Sequence, residues 1–134
     1  MDFIIKLIVR LGILAGVIST FFILWVYFTF PDMCGNYLHA EAYSPDNKNR
    51  IVVFQRDCGA TTGFSTQISI LGADVKLPNE SANIFIIPGH PNEVAPGVEW
   101  LDNSTIKISH RLNGQEYLSE TSYGWFNKVV VKYE

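Results

Sequence analysis

The stretch Arg50–Leu71, RIVVFQRDCGATTGFSTQISIL, decides the fold. Arg50 to Arg56 is rich in β-branched and aromatic side chains, and Phe64 to Leu71 puts Phe64, Thr66, Ile68 and Ile70 on one face of an extended chain, where direction alternates residue by residue. Between them, Asp57-Cys58-Gly59-Ala60-Thr61-Thr62-Gly63 is a loop of small residues with two glycines, which let a backbone turn tightly. Strand, loop, strand is the repeating unit of an antiparallel sheet.

Working outward, Leu38, Ala40 and Ala42 alternate with His39 and Glu41, and Ser44-Pro45-Asp46-Asn47 is a turn, so a strand pairs with Arg50–Arg56 as a hairpin. Downstream, Asn83 to Ile87 is a short apolar strand stopped by Pro88-Gly89. His90 to Gly97 holds Pro91 and Pro96 and is expected to be an irregular surface loop. Val98-Glu99-Trp100, a turn at Asp102-Asn103-Ser104 and Thr105–Ser109 form a second hairpin, and Val129-Val130-Val131 closes the chain as a strand against the core. Glu116 to Tyr123 fits a strand or an irregular turn. Six or seven short strands without helical periodicity predict a mainly β fold, a small antiparallel β-sandwich or open β-barrel-like domain.

Leu11–Phe30 differs in kind. It is twenty residues without a charge, which at ~1.5 Å per residue spans roughly the 30 Å hydrocarbon core of a bilayer. A helix there satisfies its own backbone, Ser19 and Thr20 can bond back to its carbonyls, and Trp25 and Tyr27 suit the interface. Lys6 and Arg10 precede it while Pro31 and Asp32 follow, which puts the N-terminus in the cytoplasm. A cleaved signal peptide would end in small residues, not Phe28-Thr29-Phe30-Pro31-Asp32, and a lipoprotein would not have Pro31-Asp32-Met33 before Cys34. A hundred-residue domain could bury a helix apolar on all faces only by wrapping it. The expected organisation is a cytoplasmic tip and transmembrane anchor over residues 1–32 and an extracytoplasmic β-rich domain over 33–134, on a short tether.

Cys34 and Cys58, the only cysteines, both fall on the outer side, where an even count suggests one disulfide. Two unpaired thiols are the alternative; no nearby histidine offers zinc-ligand spacing, and no cofactor is expected. Of 10 Lys/Arg and 13 Asp/Glu, Lys6, Arg10 and Asp2 precede the span, leaving eight against twelve with no basic cluster. Nucleic-acid binding is therefore excluded as an expectation.

Two resemblances are visible. Ser44-Pro45-Asp46 and Trp100-Leu101-Asp102-Asn103-Ser104-Thr105, each leading into a strand, are similar to repeated turns in TolB-type β-propeller blades, although a chain this short cannot close a propeller. Arg56-Asp57-Cys58-Gly59-Ala60-Thr61-Thr62-Gly63-Phe64-Ser65-Thr66-Gln67, with the Ser-Pro-Asp turn, the Val98-Glu99-Trp100 strand and the Val-Lys-Tyr-Glu ending, resembles a family of small bacterial membrane-anchored proteins containing a domain of unknown function. That resemblance implies a bacterial inner-membrane protein and a shared fold, and no activity. Asn47 stands where that family's glycine is expected; both tolerate positive φ.

Arg56 to Phe64 is the one stretch whose residues look chosen for more than packing. Arg56 and Asp57 carry opposite charges, Gly59 and Gly63 expose N–H groups, Thr61 and Thr62 offer hydroxyls, and Phe64 adds an aromatic surface. A small anion or a peptide end would fit; a disulfide-pinned turn whose threonines satisfy its own backbone uses the same residues. No spacing links His39, His90 and His110 to Thr61 or Thr62, and Asp57, Glu80, Glu93 and Glu99 are scattered, so no catalytic set is expected. Phe64, Tyr117, Tyr123, Trp125 and Phe126 exceed what one small core needs, while Trp100 and Trp125 each read as core. The expected function is a non-enzymatic, membrane-tethered interaction module contacting an envelope protein or component. The alternatives are a small envelope hydrolase or transferase using Asp57, Thr61 and Thr62, and a structural subunit of an envelope complex.

Overall fold

The computed structural model describes residues 1–29 and 33–134, which divide into two compact units, Met1–Met33 and Cys34–Glu134. The first is helix α1 (Asp2–Thr29), charged only at Asp2, Lys6 and Arg10, with no buried residue, and long and apolar enough to cross a membrane. Within it the Thr20 hydroxyl donates to Gly16 O at 2.9 Å. The expected end of the span at Phe30 and the boundary at Asp32 lie outside the described residues.

The second unit is mainly β. Strands β1 (Gly35–Tyr43), β2 (Asn49–Asp57), β3 (Phe64–Gly72), β4 (Phe85–Pro88), β5 (Gly97–Asp102), β6 (Thr105–Ser109), β7 (Leu118–Ser119), β8 (Ser122–Tyr123) and β9 (Val129–Tyr133) form two sheets, ordered β1-β2-β3-β4-β7 and β5-β6-β9-β8. The sheets pack face to face and do not close into a barrel. Ile51, Val53, Ile68, Ile70 and Phe85 of the first meet Ile106, Ile108, Val129 and Val131 of the second in one buried cluster. Polar ties also join the two sheets: Trp100 Nε1 donates to Ala42 O at 2.9 Å, Asp46 N to Asn103 Oδ1 at 2.9 Å, and the Tyr133 hydroxyl to Ile84 O at 3.4 Å and Glu120 O at 2.7 Å.

The run Ile51-Val52-Val53-Phe54 is buried throughout because the first sheet is covered on both sides. Ile51 and Val53 face the second sheet, while Val52 and Phe54 pack with Leu71, Leu77 and Ala82 under the segment between β3 and β4. That segment is fastened by side chains in place of a ladder: Asn83 Oδ1 accepts from Ile70 N, Asn83 Nδ2 donates to Ile70 O, each at 2.9 Å, and Gln67 Oε1 accepts from Ala82 N at 2.7 Å.

The antiparallel sandwich is as expected apart from one pair, and two other expectations are corrected. All pairs are antiparallel except β6 and β9, which run parallel from Thr105↔Val130 to Ile108↔Tyr133. A parallel neighbour needs a crossover of a dozen or more residues. The chain from 110 to 128 supplies it, passing through β7 in the first sheet before β8 turns back into β9. The loop expected over His90–Gly97 contains a helical turn, α2 (Pro91–Val94): His90 Nδ1 accepts from Asn92 N, and a buried Pro91 begins the turn with its φ already helical. Trp125 is not a core residue. Gly124 (φ 91°) turns the β8–β9 connection outward, leaving Trp125 98% and Phe126 100% exposed, whereas Trp100 does pack against the core.

Candidate functional site

The outer face of the first sheet, at its Cys34 end, holds an open groove of about 490 Å³. Register builds its floor: Arg56 lies opposite Ser65 and Ser65 opposite Pro88, while Phe54 lies opposite Gln67 and Gln67 opposite Ile86. Alternation then puts Arg56, Ser65, Gln67, Ile86 and Pro88 on one surface. Cys58, Thr62, Gly63 and Phe64 form one wall, with Ser81 and Tyr117 also at the groove. Tyr117 is held there by its backbone N–H, which donates to Ile86 O at 2.8 Å.

Arg56 is only 8% exposed. Its Nη1 donates to Asn36 Oδ1 at 2.8 Å and to Asn79 Oδ1 at 3.4 Å. Those amides are fixed in turn: Asn36 Nδ2 donates to Pro78 O at 2.8 Å and Glu80 O at 2.7 Å, and Asn79 Nδ2 to Cys34 O at 2.7 Å. The Cys34–Cys58 disulfide lies beside this network and ties the start of β1 to the loop after β2. The guanidinium is thus a pre-positioned part of the wall, since moving it would break hydrogen bonds in a region where water cannot readily replace them.

The expected site residues separate into two groups. Arg56, Thr62 and Phe64 line the groove, with Phe64 half exposed and its ring edge-on to His90 at 5.7 Å between centroids. Asp57 and Gly59 build the turn: Asp57 Oδ1 accepts from Gly59 N at 2.9 Å, and Gly59 takes φ 102°. The Thr62 hydroxyl donates to Gly59 O at 3.3 Å, while Thr61 is exposed and does not line the groove. Sequence reasoning passed over Gln67, Ser81, Ile86 and Pro88 because register and the covering segment bring them in; Tyr117 carried a signal, as one aromatic too many for the core.

Beyond the groove, Glu116 closes the loop after β6, accepting from Asn113 N, Gly114 N and His110 Nε2 at 3.0, 2.9 and 2.7 Å. The backbone N–H of Asn113 and then His110 hold its carboxyl down to about 2. Among the described residues, no group of three or more His, Cys, Asp or Glu is arranged to hold a metal ion.

Among known families, the model of the "Family of unknown function (DUF5412)" matches residues 2–125. The chain belongs to DUF5412. No curated protein and no solved structure matches it. The DUF5412 match includes helix α1 and eight of the nine strands, so helix and sandwich belong to one family pattern.

Proposed function

We propose that this DUF5412 protein is a membrane-tethered, non-enzymatic binding module. In this reading α1 anchors it in a bacterial inner membrane with the N-terminus inside, and the sandwich stands outside the cytoplasm and holds an extended segment of an envelope protein in the outer-face groove. The observation that carries the reading is the groove itself. Its volume of about 490 Å³ falls within the range of ligand sites. Exposed Phe64 and Tyr117 offer apolar contact, and Arg56, Ser65 and Gln67 offer fixed polar groups between them. The disulfide supports an oxidising compartment. The bonds of Asp57 and Thr62 to the backbone of their own loop support a structural use of those side chains over a catalytic one.

In-cell photo-crosslinking tests it. A photoreactive residue at position 64 or 117 captures one dominant protein, and the F64A and Y117A exchanges, each placed with the photoreactive residue at the other position, weaken that capture. A pattern no different from that at Lys107, on the second sheet and ion-paired to Glu99, would refute the groove as the contact.

A further inference from the structure

The end of the domain opposite Cys34 is built from three connections. The turn after β1, the Asp102–Ser104 turn between β5 and β6, and the β8–β9 loop over residues 124–128 meet there, a nine-residue strand or roughly 30 Å from the groove end. Asp46 N donates to Asn103 Oδ1 at 2.9 Å and Val130 N to Ser104 O at 2.8 Å, which fixes the three to one another. Between them lies a cleft of about 260 Å³ lined by Asp46, Lys48, Asn49, Asn103, Asn127 and Lys128.

The chemistry of this lining is specific. Among the described residues, the side-chain amides of Asn49 and Asn127 make no hydrogen bond, and Asn103 uses only its oxygen. Each free amide can donate and accept at once. The lining carries two lysines and one aspartate, and the Asp46 carboxylate already accepts from Ser44 Oγ at 2.7 Å and Lys48 N at 3.1 Å. Trp125 and Phe126 do not line the cleft but precede Asn127 in the same loop, fully exposed on a turn set by Gly124. Amides that pair with vicinal hydroxyls, an aromatic plane for the apolar face of a ring, and a cation for an acid group together describe one ligand class. An acidic peptide would engage the lysines and, through its backbone, the amides as well, but it offers no ring face to an exposed aromatic plane.

We infer that this distal end is a second binding site, for a carboxylate-bearing oligosaccharide, with Trp125 stacking on a sugar ring, Asn49, Asn103 and Asn127 hydrogen-bonding its hydroxyls, and Lys48 and Lys128 pairing with its carboxylate. The inference is independent of the groove. The test is titration of the full chain in detergent micelles with trigalacturonate and a hyaluronate tetrasaccharide, read by tryptophan fluorescence and calorimetry, with cellotetraose, poly-glutamate and anionic phospholipid vesicles as comparisons. Saturable binding of a carboxylated saccharide, weakened at least tenfold by W125A and by K48A/K128A and unchanged by F64A, supports the site. W125A removes a side chain 98% exposed, so loss of binding there is not loss of fold. No binding of either acidic saccharide, binding that survives W125A, or binding confined to poly-glutamate or to vesicles would each overturn it.

Discussion

Replacing Asn83 by Ala tests whether side chains take the place of a strand ladder over the first sheet. Asn83 meets both the N–H and the C=O of Ile70, each at 2.9 Å, and Ile70 is only 2% exposed, so water cannot readily take over either group. Two hydrogen bonds at about 1 kcal/mol each are lost, and a buried donor and acceptor are left with an added desolvation cost, giving an expected loss of about 2–4 kcal/mol. A domain this size has a total stability of about 5–15 kcal/mol, so the change is large. The N83D variant separates geometry from volume. Its carboxylate can accept from Ile70 N but sets an oxygen against Ile70 O, so it destabilises at pH 7 and recovers part of the loss below about pH 4, where the protonated acid can donate. Urea unfolding of the full chain in micelles, followed by tryptophan fluorescence at both pH values, reads this directly. An N83A loss under about 0.5 kcal/mol, or an N83D variant as stable as the parent at pH 7, would refute the reasoning.

Three further outcomes are expected. The C34S/C58S exchange opens a loop of 25 residues counting both ends (58 − 34 + 1) and lowers stability by about 3.5 kcal/mol on chain entropy, measured by the same unfolding experiment in the absence of reductant. Glu116 has its folded pKa depressed to about 2 from an ordinary 4.5, so the stability it contributes is present above pH 4.5 and is lost as pH falls toward 2; E116Q removes that dependence, read as a flatter thermal-midpoint profile across the window. Asn47 sits at φ 55°, so N47G leaves stability within about 0.5 kcal/mol of the parent while N47V lowers it by about 1–2 kcal/mol; equal melting points for the two variants would contradict the left-handed turn.

Local pattern was enough for several elements. Twenty uncharged residues from Leu11 dictate a helix because no other conformation meets its backbone needs in an apolar medium. The alternation in Phe64–Leu71 and the Ser44–Asn47 and Asp102–Ser104 turns dictate β3 and two hairpins, since side-chain period and turn chemistry are properties of a few neighbouring residues. What lies between distant segments was decided by tertiary structure. The β6–β9 pair is parallel because of where a nineteen-residue crossover (128 − 110 + 1) deposits the chain, which no local signal encodes. Trp125 looks like a core residue by composition and is exposed because Gly124 turns its loop away from both sheets. The groove is legible only in part. Arg56, Thr62 and Phe64 stand together in the sequence, but Gln67, Ile86 and Tyr117 reach the same surface through register and through one backbone hydrogen bond to Ile86, contacts that exist only once the sheet has formed.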